Sequence, residues 1–151
     1  MPEPRENVLS GTLCFELRRA SGALMVAMTN AFARSGLKPS EAMLMTYIGA
    51  NPGCTQSEIA RTFGAKAANL VPLIARLERD GLVERTRSGG RAIAISLSTS
   101  GTAMLEDVEA GFQELEQQIV QGLDPRHREQ VIDALQQVCK AACHYQAGQD
   151  R

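Results

Sequence analysis

Apolar residues near the N-terminus follow a helical spacing. From Val8 to about Ala33 they recur every three or four positions, which places them on one stripe of a helix. The pair Ser35-Gly36 ends this helix, and Pro39 suits the first turn of a second helix running from Ser40 to about Gly49. The stripe of the first helix consists of Leu9, Leu13, Leu17, Ala20, Leu24, Ala27 and Ala31.

The middle of the chain predicts two helices joined by a glycine turn. Thr55-Gln56-Ser57-Glu58 reads as a capping box, in which the Thr55 hydroxyl accepts the Glu58 N–H and the Glu58 carboxylate accepts the Thr55 N–H. A short helix follows to about Phe63, with Gly64 as the turn. A longer helix is expected from about Lys66 to Asp80, where Gly81 provides the C-cap.

Two strands are predicted next, and then two more helices. Residues 82–86 and 92–97 alternate like strands, and Ser88-Gly89-Gly90 suits the hairpin loop between them. Ser98 is a cap for a long helix that ends at Gly122, and Asp124-Pro125 begins the last helix. The predicted fold class is therefore mainly α with a small β-hairpin, in the order helix, helix, helix-turn-helix, hairpin, helix, helix.

Composition narrows the class of protein. The 151 residues are 44% hydrophobic and 22% charged, an ordinary globular balance. The first five residues carry no apolar signal core, and no apolar run approaches the roughly 18 residues of a membrane span. The four cysteines are widely scattered, so reduced thiols are the default interpretation. We expect a soluble, cytoplasmic protein without a membrane partner, cofactor or metal.

Charge is distributed unevenly along the chain. The formal net charge is −1, but residues 61–91 hold seven basic and three acidic side chains, so this segment is +4 and the remainder −5. Phosphate binding depends on a local cationic surface rather than on total charge. A helix-turn-helix can place its second helix in the major groove, and a basic hairpin with Arg87 and Arg91 near its tip can approach a narrow minor groove. The pattern therefore predicts a protein that binds double-stranded DNA.

At these motifs the sequence resembles the MarR (multiple-antibiotic-resistance regulator) family. The matching runs are 55–60 (TQSEIA), 77–85 (LERDGLVER) and 97–101 (LSTSG), where the family reads roughly T-Q-S-E-L-A, L-E-x-x-G-L-V-x-R and L-T-x-x-G. The resemblance implies a winged helix-turn-helix fold, a homodimer formed by the first and last helices, and a ligand or oxidant site near that interface. It gives one MarR-type domain over 1–151: dimerisation helices at 8–34 and 124–147, a DNA-binding lobe at 37–98 and a linking helix at 99–122.

Two departures from the family pattern affect the predicted DNA contacts. Gly89-Gly90 precede Arg91, so the wing arginine lacks the acidic neighbour usual in the family. Pro72 falls inside the second helix and predicts either a kink or a late helix start. Asn69 is then a base reader, since its amide can pair with adenine, or alternatively the cap of a late-starting helix. The predicted DNA contacts are Thr55, Gln56, Lys66, Ala67, Ala68, Asn69, Pro72, Arg76, Arg87 and Arg91.

Two further sites are hypotheses. The ligand pocket implied by the resemblance is assigned to Phe15, Arg18, Arg19, Met43 and Tyr47, although methionines at such positions also serve as ordinary core.

The run 13–17 (LCFEL) resembles the stretch around the peroxide-sensing cysteine in the organic-hydroperoxide branch of the family. Arg18 stands where those proteins usually have Tyr, and a nearby cation would favour the Cys14 thiolate. Cys139 and Cys143 would be resolving thiols; a buried, unreactive Cys14 is the alternative. Cys139, Cys143 and His144 do not have a standard zinc spacing.

No common catalytic motif is present, and the two histidines offer little acid–base chemistry. We therefore expect a repressor rather than an enzyme, released from its operator by a small, possibly aromatic molecule. A protein-interaction module that does not bind DNA is the alternative of another class.

Overall fold

The computed structural model describes residues 9–87 and 93–149, with side chains as far as residue 145. Six α-helices and one β-hairpin occur in this part of the chain. Short 3₁₀ helices, Ala33–Ser35 and Pro125–His127, follow the first helix and precede the last. The α-helices and strands are α1 (Leu13–Ala31), α2 (Pro39–Ala50), α3 (Gln56–Phe63), α4 (Ala67–Arg79), β1 (Val83–Arg87), β2 (Ile93–Leu97), α5 (Thr99–Gln121) and α6 (Arg128–Gln149).

The core lies where α2, α4, the hairpin and α5 meet. Most of its large fully buried side chains are aliphatic; the exceptions are Glu41 and Phe32, whose ring packs edge-on against Phe112 of α5 with centroids 4.7 Å apart. A Cβ on Gly111 would lie 3.1 Å from the Phe32 ring, so glycine lets α5 pack closely there. The large buried aliphatic side chains are Leu44, Met45, Ile48, Ile59, Ile74, Leu77, Ile95 and Val108.

The hairpin carries an additional pairing that the sequence did not predict. β1 and β2 are antiparallel, with Val83 opposite Leu97 and Arg87 opposite Ile93. Cys54 forms an isolated bridge to Ile95, whose N–H donates to the Cys54 carbonyl at 2.8 Å. The segment before α3 therefore attaches the helix-turn-helix to the hairpin.

The first turn of α5 is fixed to the end of α4 by a tight backbone contact. The Ser98 hydroxyl accepts the Gly101 N–H at 2.9 Å and donates to the Gly81 carbonyl, which confirms Ser98 as the cap. A Cβ on Gly101 would lie 1.9 Å from the Leu82 carbonyl oxygen. Only glycine allows this approach.

The last helix is nearly unpacked within one protomer. Among the described side chains of α6, none is buried and only Val138 is half-buried. Apolar side chains on it remain exposed, as do others on α1. Within the described residues, no helix is long and apolar enough to cross a membrane.

Candidate nucleic-acid interface

The start of α3 is held by the predicted capping box. The Thr55 N–H donates to Glu58 Oε2 at 2.7 Å, and the Thr55 hydroxyl accepts the Glu58 N–H at 3.3 Å. The Thr55 hydroxyl also donates to Glu58 Oε2 at 2.9 Å, and the Thr55 backbone N–H and then this hydroxyl lower the pKa of the Glu58 carboxyl below its ordinary value. Gln56 Nε2 donates to the Ala67 carbonyl at 2.9 Å and thereby joins the beginnings of α3 and α4. Both predicted contacts on α3 are thus exposed or half-buried at its N-terminus.

Helix α4 begins close to Lys66, as the pattern of the sequence predicted. The alternative prediction, that Pro72 delays the start of the helix, is wrong. Lys66 is the N-cap, and helical geometry runs from Ala67 through Pro72 to Arg79. Asn69 is therefore the third helical residue, with an exposed side chain, and does not cap the helix. Pro72 lies on the exposed side of α4. Leu70, Ile74 and Leu77 form the buried side.

Arg76 is paired with acidic side chains of the protein and is about one-third exposed. Its Nη1 lies 2.9 Å from Oε1 of Glu41 on α2, and its Nε lies 3.5 Å from Asp80. The Glu41 side chain is 1% exposed, and its other oxygen accepts the Lys38 N–H at 2.8 Å. The Arg76–Glu41 contact is an ion pair rather than a well-aligned hydrogen bond, because Oε1 has no hydrogen-bond donor in a suitable direction. Arg76 therefore fixes α4 against α2.

The hairpin has the expected place and nearly the expected bounds. The strands are 83–87 and 93–97, each within one residue of the predicted bounds. Arg87 is exposed at the end of β1, while Arg85 is paired with Glu78 of α4 at 3.0 Å. The predicted loop and Arg91 lie outside the described residues.

Cys54 is buried beneath the turn that leads into α3. Burial, and then the neighbouring charge of Glu58, raise the pKa of the Cys54 thiol. Because the thiolate is the reactive form, this cysteine is a structural residue.

The five residues predicted to form a ligand pocket do not line one cavity within the protomer. Tyr47 faces α3, where its ring packs on Phe63 and its hydroxyl accepts a hydrogen bond from Thr62 at 3.2 Å. Phe15 and Arg19 are stacked on α1, with the guanidinium 5.8 Å from the ring centroid. The pocket implied by the resemblance lies near the dimer junction, so its grouping of these residues stays a prediction.

Met43 instead lines an apolar cavity of about 530 Å³ between α1, α2, α5 and α6, which we call the Met43 cavity. An ion pair lies at its edge, with Arg128 Nη2 2.7 Å from Glu116 Oε1. The sequence indicated Met25, Met28 and Met43 as possible pocket residues, but not the other side chains of this lining, which lie on the apolar stripes of the helices. The lining includes Leu24, Met25, Met28, Phe112, Leu115, Ile119, Val131, Ile132 and Leu135.

The predicted thiol site lacks its expected cation. Cys14, Cys139 and Cys143 are exposed within one protomer. Arg18 does not lie beside Cys14, since its guanidinium reaches Gly22, one turn toward the C-terminus. Among the described residues, no group of three or more His, Cys, Asp or Glu side chains is placed to hold a metal ion.

The arrangement of α3, α4 and the hairpin defines a winged helix-turn-helix protein, a class that places its second helix in the DNA major groove. A MarR family profile matches residues 35–92, from the 3₁₀ helix after α1 through β1 and beyond. This match, together with the relatives described next, supports a DNA-binding transcriptional regulator of the MarR type. This class replaces the alternative of an interaction module that does not bind DNA.

Relatives with known structures cover nearly the whole chain. The transcriptional repressor CouR, bound to a 23-mer DNA duplex, is 28% identical, with a TM-score of 0.83 over 91% of this chain and 99% of CouR. CouR from Rhodococcus jostii RHA1 bound to p-coumaroyl-CoA is 26% identical, with a TM-score of 0.78 over 87% and 94%. The HTH-type transcriptional regulator BilQ of Clostridium symbiosum (strain WAL-14163) is 26% identical over 109 residues, 71% of this chain and 76% of BilQ.

Proposed function

We propose that the chain is a cytoplasmic, homodimeric repressor that binds operator DNA through α4 and releases it when a small apolar effector enters the Met43 cavity. The observation that carries the proposal is the position of α2. Its Met43 lines the cavity, and its Glu41 is paired with Arg76 of α4. A ligand that stabilises a displaced α2 therefore also displaces α4, and it weakens DNA binding through its differential affinity for the two arrangements.

The dimer is supported by apolar surface that one protomer leaves uncovered. Val131, Ile132 and Leu135 of α6 are exposed, as are Leu13 and Leu24 of α1. Fully burying such a side chain contributes about 1.5–3 kcal/mol, so covering these faces with a second copy is strongly favourable. We assign this role to 8–34 and 124–147, with 37–98 as the DNA-binding lobe and 99–122 as the link. The two α4 helices would then enter successive major grooves roughly 34 Å apart.

Sedimentation velocity at micromolar concentration tests the dimer. We expect wild type to sediment as a dimer and Leu135→Glu to dissociate, because it places a charge in the interface. Gln136→Glu is the matched control, since it adds the same charge at the neighbouring exposed position. A monomeric wild type with intact DNA binding would contradict the two-fold arrangement.

The proposed DNA contacts divide into phosphate and base contacts. We assign Thr55 and Gln56, at the N-terminus of α3, and Lys66, which caps α4, to phosphate contacts. Arg87 and Arg91 of the wing are assigned to the backbone or the minor groove. Their loss should weaken binding to operator and random DNA alike, with the salt slope falling by about one for each phosphate contact removed.

Asn69 is the proposed base reader. Its exposed amide on the first turn of α4 can bind the N6 and N7 edge of adenine. We expect Asn69→Ala to cost about 1–3 kcal/mol on the operator and much less on random DNA, measured by fluorescence anisotropy. An unchanged preference for the operator in a folded variant would exclude this role.

The effector class follows from the lining of the Met43 cavity. Its walls are apolar, which suits an aromatic or acyl group, and the Arg128–Glu116 ion pair at its edge can contact a polar head group. The relative CouR has been solved with p-coumaroyl-CoA, which is a suitable first probe. We expect p-coumarate or p-coumaroyl-CoA to raise the melting temperature and release DNA. Met43→Trp should fill the cavity and abolish release while DNA binding persists, whereas Met43→Leu should respond like wild type.

A further inference from the structure

The outward face of α4 is apolar through its middle turns. Ala68, Val71, Pro72 and Ala75 are all exposed, on the sides of the helix away from buried Leu70 and its neighbours. Val71 is 48% exposed and is the large hydrophobic residue of α4 that lies mainly in solvent. Isolated exposed apolar residues are ordinary, but four on one face form a continuous surface.

Charged side chains are confined to the two ends of the helix. No charged residue occurs between Lys66 and Arg76, and Arg76 is paired with Glu41. Pro72 also lacks a backbone N–H and cannot act as a donor. Apart from Asn69 at its border, this face can therefore make only apolar contacts with base edges through its side chains.

The major groove offers one apolar group, the C5-methyl of thymine. We propose that α4 selects its operator through thymine methyl groups, with Val71 as the specificity-determining contact and Asn69 reading a neighbouring adenine. This inference rests on the proposed function, since it requires α4 to lie in the major groove. Contact between Val71 and a methyl group removes both from water, which is the source of the discrimination.

The test begins by selecting bound duplexes from a random double-stranded library with the full-length protein. Half-sites containing thymine or adenine opposite α4 should be enriched. Each thymine of the selected duplex is then replaced singly by deoxyuridine, which lacks only the methyl group. At one or two positions per half-site we expect binding about fourfold weaker, which corresponds to about 0.8 kcal/mol for one buried methyl-sized group.

A variant comparison assigns the contact to Val71. Val71→Ala should bind the thymine duplex more weakly and reduce the ratio between thymine and deoxyuridine affinities toward one. Gln117→Ala is the control, because it truncates an uncharged side chain at an exposed position on α5, outside the DNA-binding lobe and the dimer helices, and it should keep the wild-type ratio.

The outcomes separate the two proposals. If duplexes are enriched and bound tightly but deoxyuridine has no effect, methyl recognition is overturned and operator binding stays in place. An unchanged ratio between thymine and deoxyuridine affinities in Val71→Ala has the same meaning. Failure to enrich any duplex would overturn sequence-specific DNA binding itself, and methyl recognition with it.

Discussion

Replacing Arg76 by alanine should destabilise the fold. The substitution leaves Glu41 almost fully buried, with the Lys38 N–H as its remaining described hydrogen-bond donor. Breaking a fully buried pair costs about 3–5 kcal/mol. The Arg76 side chain is 34% exposed, so water replaces part of the lost interaction, and roughly 2–3 kcal/mol is the expected loss. At about 2–4 °C per kcal/mol for a chain of this size, the melting temperature should fall by about 4–12 °C.

The assay is thermal unfolding by circular dichroism at one fixed protein concentration, since dimer dissociation shifts the transition. A double-mutant cycle with Glu41→Gln isolates the pair. Because Glu41→Gln removes the buried charge, Arg76→Ala should cost less in that background, with a coupling energy of about 0.5–3 kcal/mol. Arg79→Ala is the control, an exposed arginine one turn later, and should change stability by less than about 0.5 kcal/mol.

DNA binding, measured well below the lowest melting temperature, separates this role from base reading. A variant that melts like wild type, shows no coupling with Glu41 and loses operator preference would refute the structural role. It would restore Arg76 as a base reader, as the sequence had indicated.

Three further predictions concern a close contact, a titrating cap and a thiol. Gly101→Ala should lose about 1–3 kcal/mol or more in denaturant unfolding, because its Cβ would collide with the Leu82 carbonyl; wild-type stability would show that the contact relaxes freely. Contacts with Thr55 lower the pKa of Glu58 in the folded state. The stabilising contribution of the Glu58 carboxylate is therefore present above the pKa of the unfolded chain, about 4.3, and is lost as the pH falls through the folded pKa. The stability difference between wild type and Glu58→Gln should therefore shrink between pH 6 and pH 3, and a constant difference would argue against the cap. Since the Arg18 guanidinium reaches toward Gly22 rather than Cys14, organic hydroperoxide should leave DNA binding unchanged; release that Cys14→Ser abolishes would instead establish a peroxide sensor.

Features that depend on neighbours in the sequence were predicted well. The capping box of Thr55 and Glu58 and the cap at Ser98 formed as expected, because their donors and acceptors lie within three residues of each other. The two strands were placed within one residue of their observed bounds. Alternation of apolar residues and the position of turn-forming residues carry this information locally.

Contacts between distant segments were decided by the tertiary structure. The partner of Arg76 is a glutamate 35 positions earlier, and Cys54 is buried because it pairs with Ile95 on another element. The Met43 cavity draws its walls from four helices, so the stripes that predicted each helix did not indicate which residues would meet. Periodicity determines which side of a helix is apolar, but only packing determines what that side contacts, because the relative positions of helices depend on the shapes of all the side chains between them.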